Sequence, residues 1–429
     1  MTKPQLKALA AQAIEAKTKE ITALNAAITA APELGYAEHK TSATIKTQLE
    51  TAGVTDIRPT ALTGQKGWIR GKSRSASVMI MGELDAVISP NHPHADPVTG
   101  AAHSCGHAAQ LAVLAACAHG IAAVAQYLDG DVCFAAAPAE EFIQLEKRQA
   151  LRKAGKIAWL GGKQQMIAEG AFDDIDLAMM IHAETNAPYP RTIIDGQSLG
   201  IIGKEIRFIG REAHAATPWL GVNALNAAAL ALTAINALRE TFRAEDRVRV
   251  HAIITKGGDL VNTVPADVRM ECHVRAANPD TMMAVNRQVN RAINGCAHAL
   301  GVTAEITDIP GYYPLMQNKT MNSLYAANVA GEITVEDNIP FGGSTDMGDV
   351  SWLLPSIHPS LSGFTGALHS ADFAVADEYL ACILPAKLLT ATVIDLLADG
   401  ASEAVSIRQQ HPRKTKEEYA KLWADMISG

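Results

Sequence analysis

The sequence predicts an α/β protein: a catalytic domain built on a mainly parallel sheet, interrupted by an inserted α+β domain of the split βαβ, ferredoxin-like kind. Three observations predict it. The chain has 429 residues, 48% of them hydrophobic, which is more than a single core usually organises. Short apolar runs alternate with helical stretches over the first 198 residues, the pattern of a sheet buried on both faces. The pattern then changes near Leu199 and reverts after Pro310-Gly311. The expected domains are therefore 1–198, 199–310 and 311–429, with the first and third forming one discontinuous unit.

The elements follow in order. A helix opens the chain, and a second runs from Thr41 to Ala52 and stops at Gly53. Ser77–Gly82, Asp131–Ala137 and Asp176–Ile181 are short apolar runs read as strands. Between the first two lies a loop rich in Pro, His and Gly, then the apolar stretch Ala108–Ala125, broken by Gln110, His119 and Gly120 and so read as a buried helix. In the middle block, strands 202–210, 247–255, 268–275 and 302–309 enclose helices 222–241 and 280–300, giving the order β-α-β-β-α-β. Helical pattern resumes over 315–330 and 380–397.

Charge narrows the function classes. A net charge of -8 without a Lys/Arg run argues against nucleic acid or an anionic membrane as partner and favours a small molecule. The N-terminus lacks the apolar core of a secretory signal, so a cytoplasmic protein is expected. Six scattered cysteines show no disulfide spacing, and all but Cys105 sit in apolar surroundings, as core thiols do.

Each of the three apolar strands ends in acidic or imidazole residues: Glu83 and Asp85, Glu140 and Glu141, His182 and Glu184. Carboxyl ends of parallel strands line the ligand crevice of an open α/β sheet, so these groups can converge. Singly, an acid ending a strand is more often a solvated turn residue or a cap. Cys105 and His107 flank Gly106, and from an irregular loop they can share one metal ion. Read alone, that pair fits a buried thiol beside a helix-start histidine equally well; carboxylates at the neighbouring strand ends favour the metal. Glu140 and Glu141 face opposite ways in an extended segment, so one can hold the ion while the other moves protons. The expected chemistry is hydrolysis of a carbon-nitrogen bond.

The segments APELGYAEHKT, GELDAV, HSCGHAAQ, PAEE, MMIHAE, GREAHAATPWLGVNALNA, TKGGDLVNTVPADVRME, GSTDMGDVSW and ALHSADF together resemble the M20 metallopeptidase family in its aminoacylase or amidohydrolase branch, in family order over nearly the whole chain. The resemblance implies Cys105, His107, Glu141, His182 and His369 as ligands of one or two divalent ions, Mn²⁺ or Zn²⁺. It implies Glu140 as general base and acid, Asp85 supporting the ligands from behind, and His214 steadying an oxyanion. Asn262 and Arg275 match substrate-binding positions, the arginine suited to a carboxylate. The inserted domain is implied to form a homodimer and to cover the active site. His92 and His94 are read as a solvated Pro-rich loop, Asp346 and Asp349 as capping residues, and His119 and His298 as core histidines.

The chain departs from the family pattern in two places. Ala108 and Ala109 stand where an acidic or amide residue usually follows Cys-Gly-His, so one group supporting the metal is missing. The stretch Phe142–Gln165 is long and basic; it is read as reshaping a pocket wall, or equally as a solvated helix face. The ordinary family substrate is an N-acyl or N-aroyl amino acid. GELDAV, STDMGD and the long stretch after PAEE also look like a sub-branch that releases ammonia from an activated aromatic amine such as 5-nitroanthranilate. An inactive binding homologue is the third expectation; the intact ligand set and Glu140 speak against it.

Overall fold

The computed structural model describes residues 1–331 and 333–427. They form two compact units. The larger comprises Met1–Gln197, Met316–Pro340 and Asp349–Lys416; the smaller comprises Ser198–Leu315, Phe341–Gly348 and residues 417–427. Against the expected boundaries, the chain returns to the larger unit at 316 rather than 311, and two later segments cluster with the smaller unit.

The larger unit is organised by a six-stranded sheet in the order Thr55–Thr60, Gly64–Ile69, Asp131–Ala137, Ser77–Glu83, Leu177–Met179, Ser356–Ile357. The first two pairings are antiparallel and the remaining three parallel. Ser77–Glu83 and Asp131–Ala137 are buried at every position, which explains why they read as continuous apolar runs rather than alternating ones. Their register pairs Glu83 with Ala137, so both chains leave the sheet side by side.

Helix His107–Val124 lies against this sheet and is buried along nearly all its length, as its lack of a polar face requires. This stretch and Tyr379–Leu397 are long and apolar enough to cross a membrane, and most of each is buried inside the protein.

A second, small sheet of the larger unit was not foreseen. Arg191–Ile194, Thr334–Asp337, Ser360–Thr365 and Ala374–Val375 form it, and His182–Thr185 joins it by parallel pairing with Ser360–Thr365. The expected strand 176–181 is shorter, Leu177–Met179 in the large sheet, and a separate strand, His182–Thr185, follows it in the small one. The basic stretch after Glu141 contains helix Leu145–Lys153, followed by helix Gly162–Ala168.

The smaller unit has the expected ferredoxin-like order. Its antiparallel sheet runs Arg249–Lys256, Asp267–Ala276, Gly200–Ile209, Thr303–Tyr312, with helices Ala224–Ala237 and Pro279–Ala299 packed on it. Asn223 and Asn278 cap the two helices, accepting from Leu225 N and Asn226 N and from Thr281 N respectively. Beneath the sheet, the buried Lys204 ammonium is held by Asp308 (2.6 Å) and Asn290 (2.6 Å).

Candidate metal centre

Cys105 and His107 reach the site because Gly106 adopts φ +91°, and a Cβ there would lie 2.7 Å from the Cβ of Ala183. Only glycine allows this loop to approach the strand that begins at His182. The His107 ring is oriented by its Nδ1, which donates to the Asp85 carbonyl oxygen at 2.7 Å and leaves Nε2 turned into the cluster. His182 uses the same device, with Nδ1 donating to Ala183 O (2.9 Å) and Nε2 lying 3.6 Å from Cys105 Sγ. His369 arrives from the other end of the chain, its backbone N bonded to Ser104 O and its Nε2 3.3 Å from Cys105 Sγ and 3.0 Å from Glu141 Oε1.

The structure therefore brings the five expected ligands together as two triads that share one atom. Cys105, His107 and His182 form one; Cys105, Glu141 and His369 form the other. Two of the donor atoms, His107 Nε2 and Glu141 Oε1, one in each triad, are buried and face Glu83 Oε2 and His369 Nε2 at 3.0 Å without hydrogen-bond geometry. Buried polar atoms are normally hydrogen-bonded, so such atoms aimed into a cluster of thiol, imidazole and carboxylate fit a divalent ion.

Asp85 sits behind this cluster, fully buried, and accepts Glu140 N (3.1 Å) and Glu141 N (2.9 Å) on its two carboxylate oxygens. Burial works to raise its pKa, but the contacts with His107 and the nearby Arg148 charge hold it below the usual carboxylate value. Glu140 lies with Glu83 and His107 in a third buried group, its Oε2 3.9 Å from His107 Nε2. Glu83 is already committed: Lys163 Nζ is 2.5 Å from its Oε1, and Gln110 Nε2 donates to its Oε2 at 3.0 Å. Although burial opposes ionisation, the Lys163 and His107 charges hold the Glu83 carboxyl well below its ordinary value.

Several nearby groups escaped the sequence reading. His358 is buried, its ring 5.6 Å from that of His182, and burial pushes its pKa down to about 3. It follows strand Ser356–Ile357, so the strand-end rule that flagged His182 would have found it. His103 is also buried, with neither ring nitrogen hydrogen-bonded and a pKa pushed down to about 3 by burial. Lys163 and Arg148 belong to the basic stretch, and a solvated helix face does not describe either: they are 0% and 2% exposed.

Other expectations need correction. His92 is buried and bonded through Nε2 to Phe373 O (3.0 Å), while His94 is exposed. His298 is exposed and His119 half-buried, so neither is a core histidine. Glu184 pairs with Arg191 rather than pointing at the cluster. Asp346 and Asp349, read as capping residues, do lie at a helix start, Asp346 just before helix Met347–Leu353 and Asp349 in its first turn, and both are fully buried.

In the smaller unit, His214 and Asn262 lie on adjacent strands of chain: His214 bridges Thr263, and Ala215 N donates to Asn262 O at 2.9 Å. Both are exposed, and His214 Nδ1 accepts from Ala216 N, which leaves Nε2 to face outward. Arg275 is half-buried and donates to Ser344 Oγ at 2.9 Å.

Residues 197–298 match the M20 peptidase dimerisation domain. Over 438 aligned positions, covering 96% of this chain and 94% of the relative, the sequence is 30% identical to the Xaa-Arg dipeptidase of Mus musculus. The chain belongs to the M20 peptidase family. This M20 hydrolase is also 24% identical to an IAA-amino acid hydrolase of Arabidopsis thaliana, over 87% of this chain and 86% of that one. Its fold is similar to that of a dinuclear metal-binding M20 peptidase from Bacillus subtilis, with a TM-score of 0.69 at 19% identity, covering 89% of this chain and 99% of the other.

Proposed function

We propose that this M20 protein hydrolyses the amide bond of a small N-acyl or N-aroyl amino acid, or of a dipeptide, at a centre of two Mn²⁺ or Zn²⁺ ions. The observation that carries the reading is the pair of triads sharing Cys105, with Glu140 on the adjoining buried group. When bound, a divalent ion held by the two triads would lower the pKa of a water and polarise the scissile carbonyl. Glu140 is the group that would take a proton from the attacking water and return it to the departing nitrogen, a task open to it because Glu141, its neighbour, fills the ligand role. Asp85 fixes the backbone of both glutamates, and His107 is held in the tautomer that presents Nε2.

We assign His214 to the oxyanion that develops on the carbonyl, and Arg275 and Asn262 to the carboxylate end of the substrate. The activities for which the relatives are named, an Xaa-Arg dipeptidase and an IAA-amino acid hydrolase, share an amide nitrogen belonging to an amino acid, which supports this substrate class. A homodimer through residues 199–310 is part of the same reading, supported by the dimerisation-domain match.

A Glu140→Gln variant tests the assignment. It is expected to retain its metal by elemental analysis while losing turnover by about 10²-fold or more; near-normal activity would sink the role given to Glu140. A panel of dipeptides, N-acyl amino acids and 5-nitroanthranilate, read for free amino acid and for ammonia, tests the substrate. Ammonia from the nitroaromatic alone would replace amide hydrolysis with aromatic deamination.

A further inference from the structure

The loop Ala139–Glu141 is gripped on both sides of its backbone. Its three consecutive amide N–H groups go to two buried carboxylates: Ala139 N to Glu38 Oε1 (2.8 Å), Glu140 N to Asp85 Oδ1 (3.1 Å) and Glu141 N to Asp85 Oδ2 (2.9 Å). Two of its carbonyls, those of Ala139 and Glu141, share a single guanidinium, besides accepting Gly162 N (3.2 Å) and Ile143 N (2.8 Å). Arg148 Nη1 donates to Ala139 O (3.2 Å) and to Leu160 O (2.9 Å), and Nη2 donates to Glu141 O. Ala139 also stands at φ +51°, a left-handed conformation that costs a non-glycine residue about 1–2 kcal/mol and persists only where its surroundings impose it.

Arg148 does this from helix Leu145–Lys153, inside the basic stretch that distinguishes the chain. Its side chain is 2% exposed, stacks near the Tyr36 ring (5.6 Å), and forms no ion pair among the described residues. A buried cation that spends its donors on main-chain oxygens is set up to impose a shape, because the planar fork spans separated carbonyls in a way one ammonium does not. Bonds to the carbonyls of Ala139 and Glu141 fix the peptide unit that precedes Glu140 and the one that follows Glu141, bracketing the two glutamates and so setting the direction their carboxylates take.

We propose that Arg148 is a positioning residue: by tying the Ala139 and Glu141 carbonyls to the inserted stretch, it aims Glu140 and Glu141 at the metal centre. The proposal rests on the roles assigned to those two glutamates above. Arg148 also lines a solvent-facing cavity of about 710 Å³, together with exposed Lys40 and Lys147, so a small solute can reach its place.

The test compares Arg148→Ala, Arg148→Lys and Glu140→Gln with the unaltered enzyme. Three quantities are read: kcat and KM on the best substrate of the panel, the Co²⁺ absorption spectrum on titrating metal-free protein, and the response of each to millimolar methylguanidinium. A misaimed carboxylate is expected to lower kcat about 100-fold with KM within about threefold. The Cys105-to-cobalt absorption should weaken, and methylguanidinium, but not methylammonium or sodium chloride, should restore both signals in Arg148→Ala. Arg148→Lys should stay impaired. Unchanged kcat and spectrum in Arg148→Lys, or equal rescue by methylammonium, would overturn the proposal. If Arg148→Ala does not fold, the Lys variant decides on the same readouts. If Glu140→Gln proves active, the base assignment fails on its own, and the cobalt spectrum, which reads the Glu141 side, still decides whether Arg148 shapes the loop.

Discussion

The Lys163 ammonium lies 2.5 Å from Glu83 Oε1, and neither side chain is more than 1% exposed. Removing one partner of such a pair strands the other as a buried charge, which costs about 3–5 kcal/mol. Lys163→Met should therefore lower the unfolding free energy by that amount, read as a fall in the urea midpoint at unchanged m-value. The double variant Lys163→Met/Glu83→Gln should recover most of the loss. If the double variant is as unstable as the single, packing rather than charge is what Lys163 supplies.

His369 belongs to one triad and Cys105 to both. His369→Ala is expected to lower the metal content from two equivalents to one, whereas Cys105→Ala weakens both ions. Elemental analysis after dialysis against a fixed free-metal concentration reads the difference, and equal stoichiometry in the two variants would contradict the shared-thiolate arrangement.

Glu38 is fully buried, accepting from Ala139 N and from Thr63 Oγ1 (2.6 Å). Burial and the neighbouring Asp85 charge raise its pKa from 4.5 to about 7. The folded protein thus keeps a proton that the unfolded chain releases. Its contribution is full below pH 4.5 and is lost as pH rises through about 7, a swing of about 3 kcal/mol for this shift. Urea titrations of metal-free protein from pH 5 to 8 should show the decline, and Glu38→Gln, which mimics the protonated acid, should flatten it. An equally steep decline in the variant would assign the effect elsewhere.

Gly106→Ala puts a methyl group 2.7 Å from Ala183 Cβ at a left-handed backbone position. Strain and overpacking together predict a loss of about 2–4 kcal/mol. Because Gly106 separates Cys105 from His107, affinity for the ion should fall in the same variant. Calorimetry with and without added metal checks this: the metal-dependent rise in Tm should shrink along with the basal Tm.

Much of this was legible in the sequence for a physical reason. Fully buried parallel strands leave continuous apolar runs, and the residues ending them, Glu83, Asp85, Glu140, Glu141 and His182, fall at one edge of the sheet. The βαββαβ block was readable because its two helices are long and capped by Asn223 and Asn278 and separate strands of eight to ten residues. The small sheet was not, because its strands are two to six residues long and Ser360–Thr365 pairs with His182–Thr185 and Arg191–Ile194 across more than 160 positions of sequence. Arg148 and Lys163 were misjudged for another reason. Composition places Lys and Arg in water by default, and only a partner far along the chain, Glu83 for Lys163, shows when that default fails.

The pairing of His182–Thr185 with Ser360–Thr365 sets the order in which the molecule can be completed. During synthesis, Cys105, His107, Glu141 and His182 emerge early, yet the strand that seats His182 and the loop that brings His369 follow only after the whole βαββαβ block has been made. A nascent chain holding the first four ligands has an unfinished cage. On the proposed ligand assignment, capture of metal is therefore expected to be a late event, and a ribosome stalled before residue 360 should release a chain with no tight hold on metal.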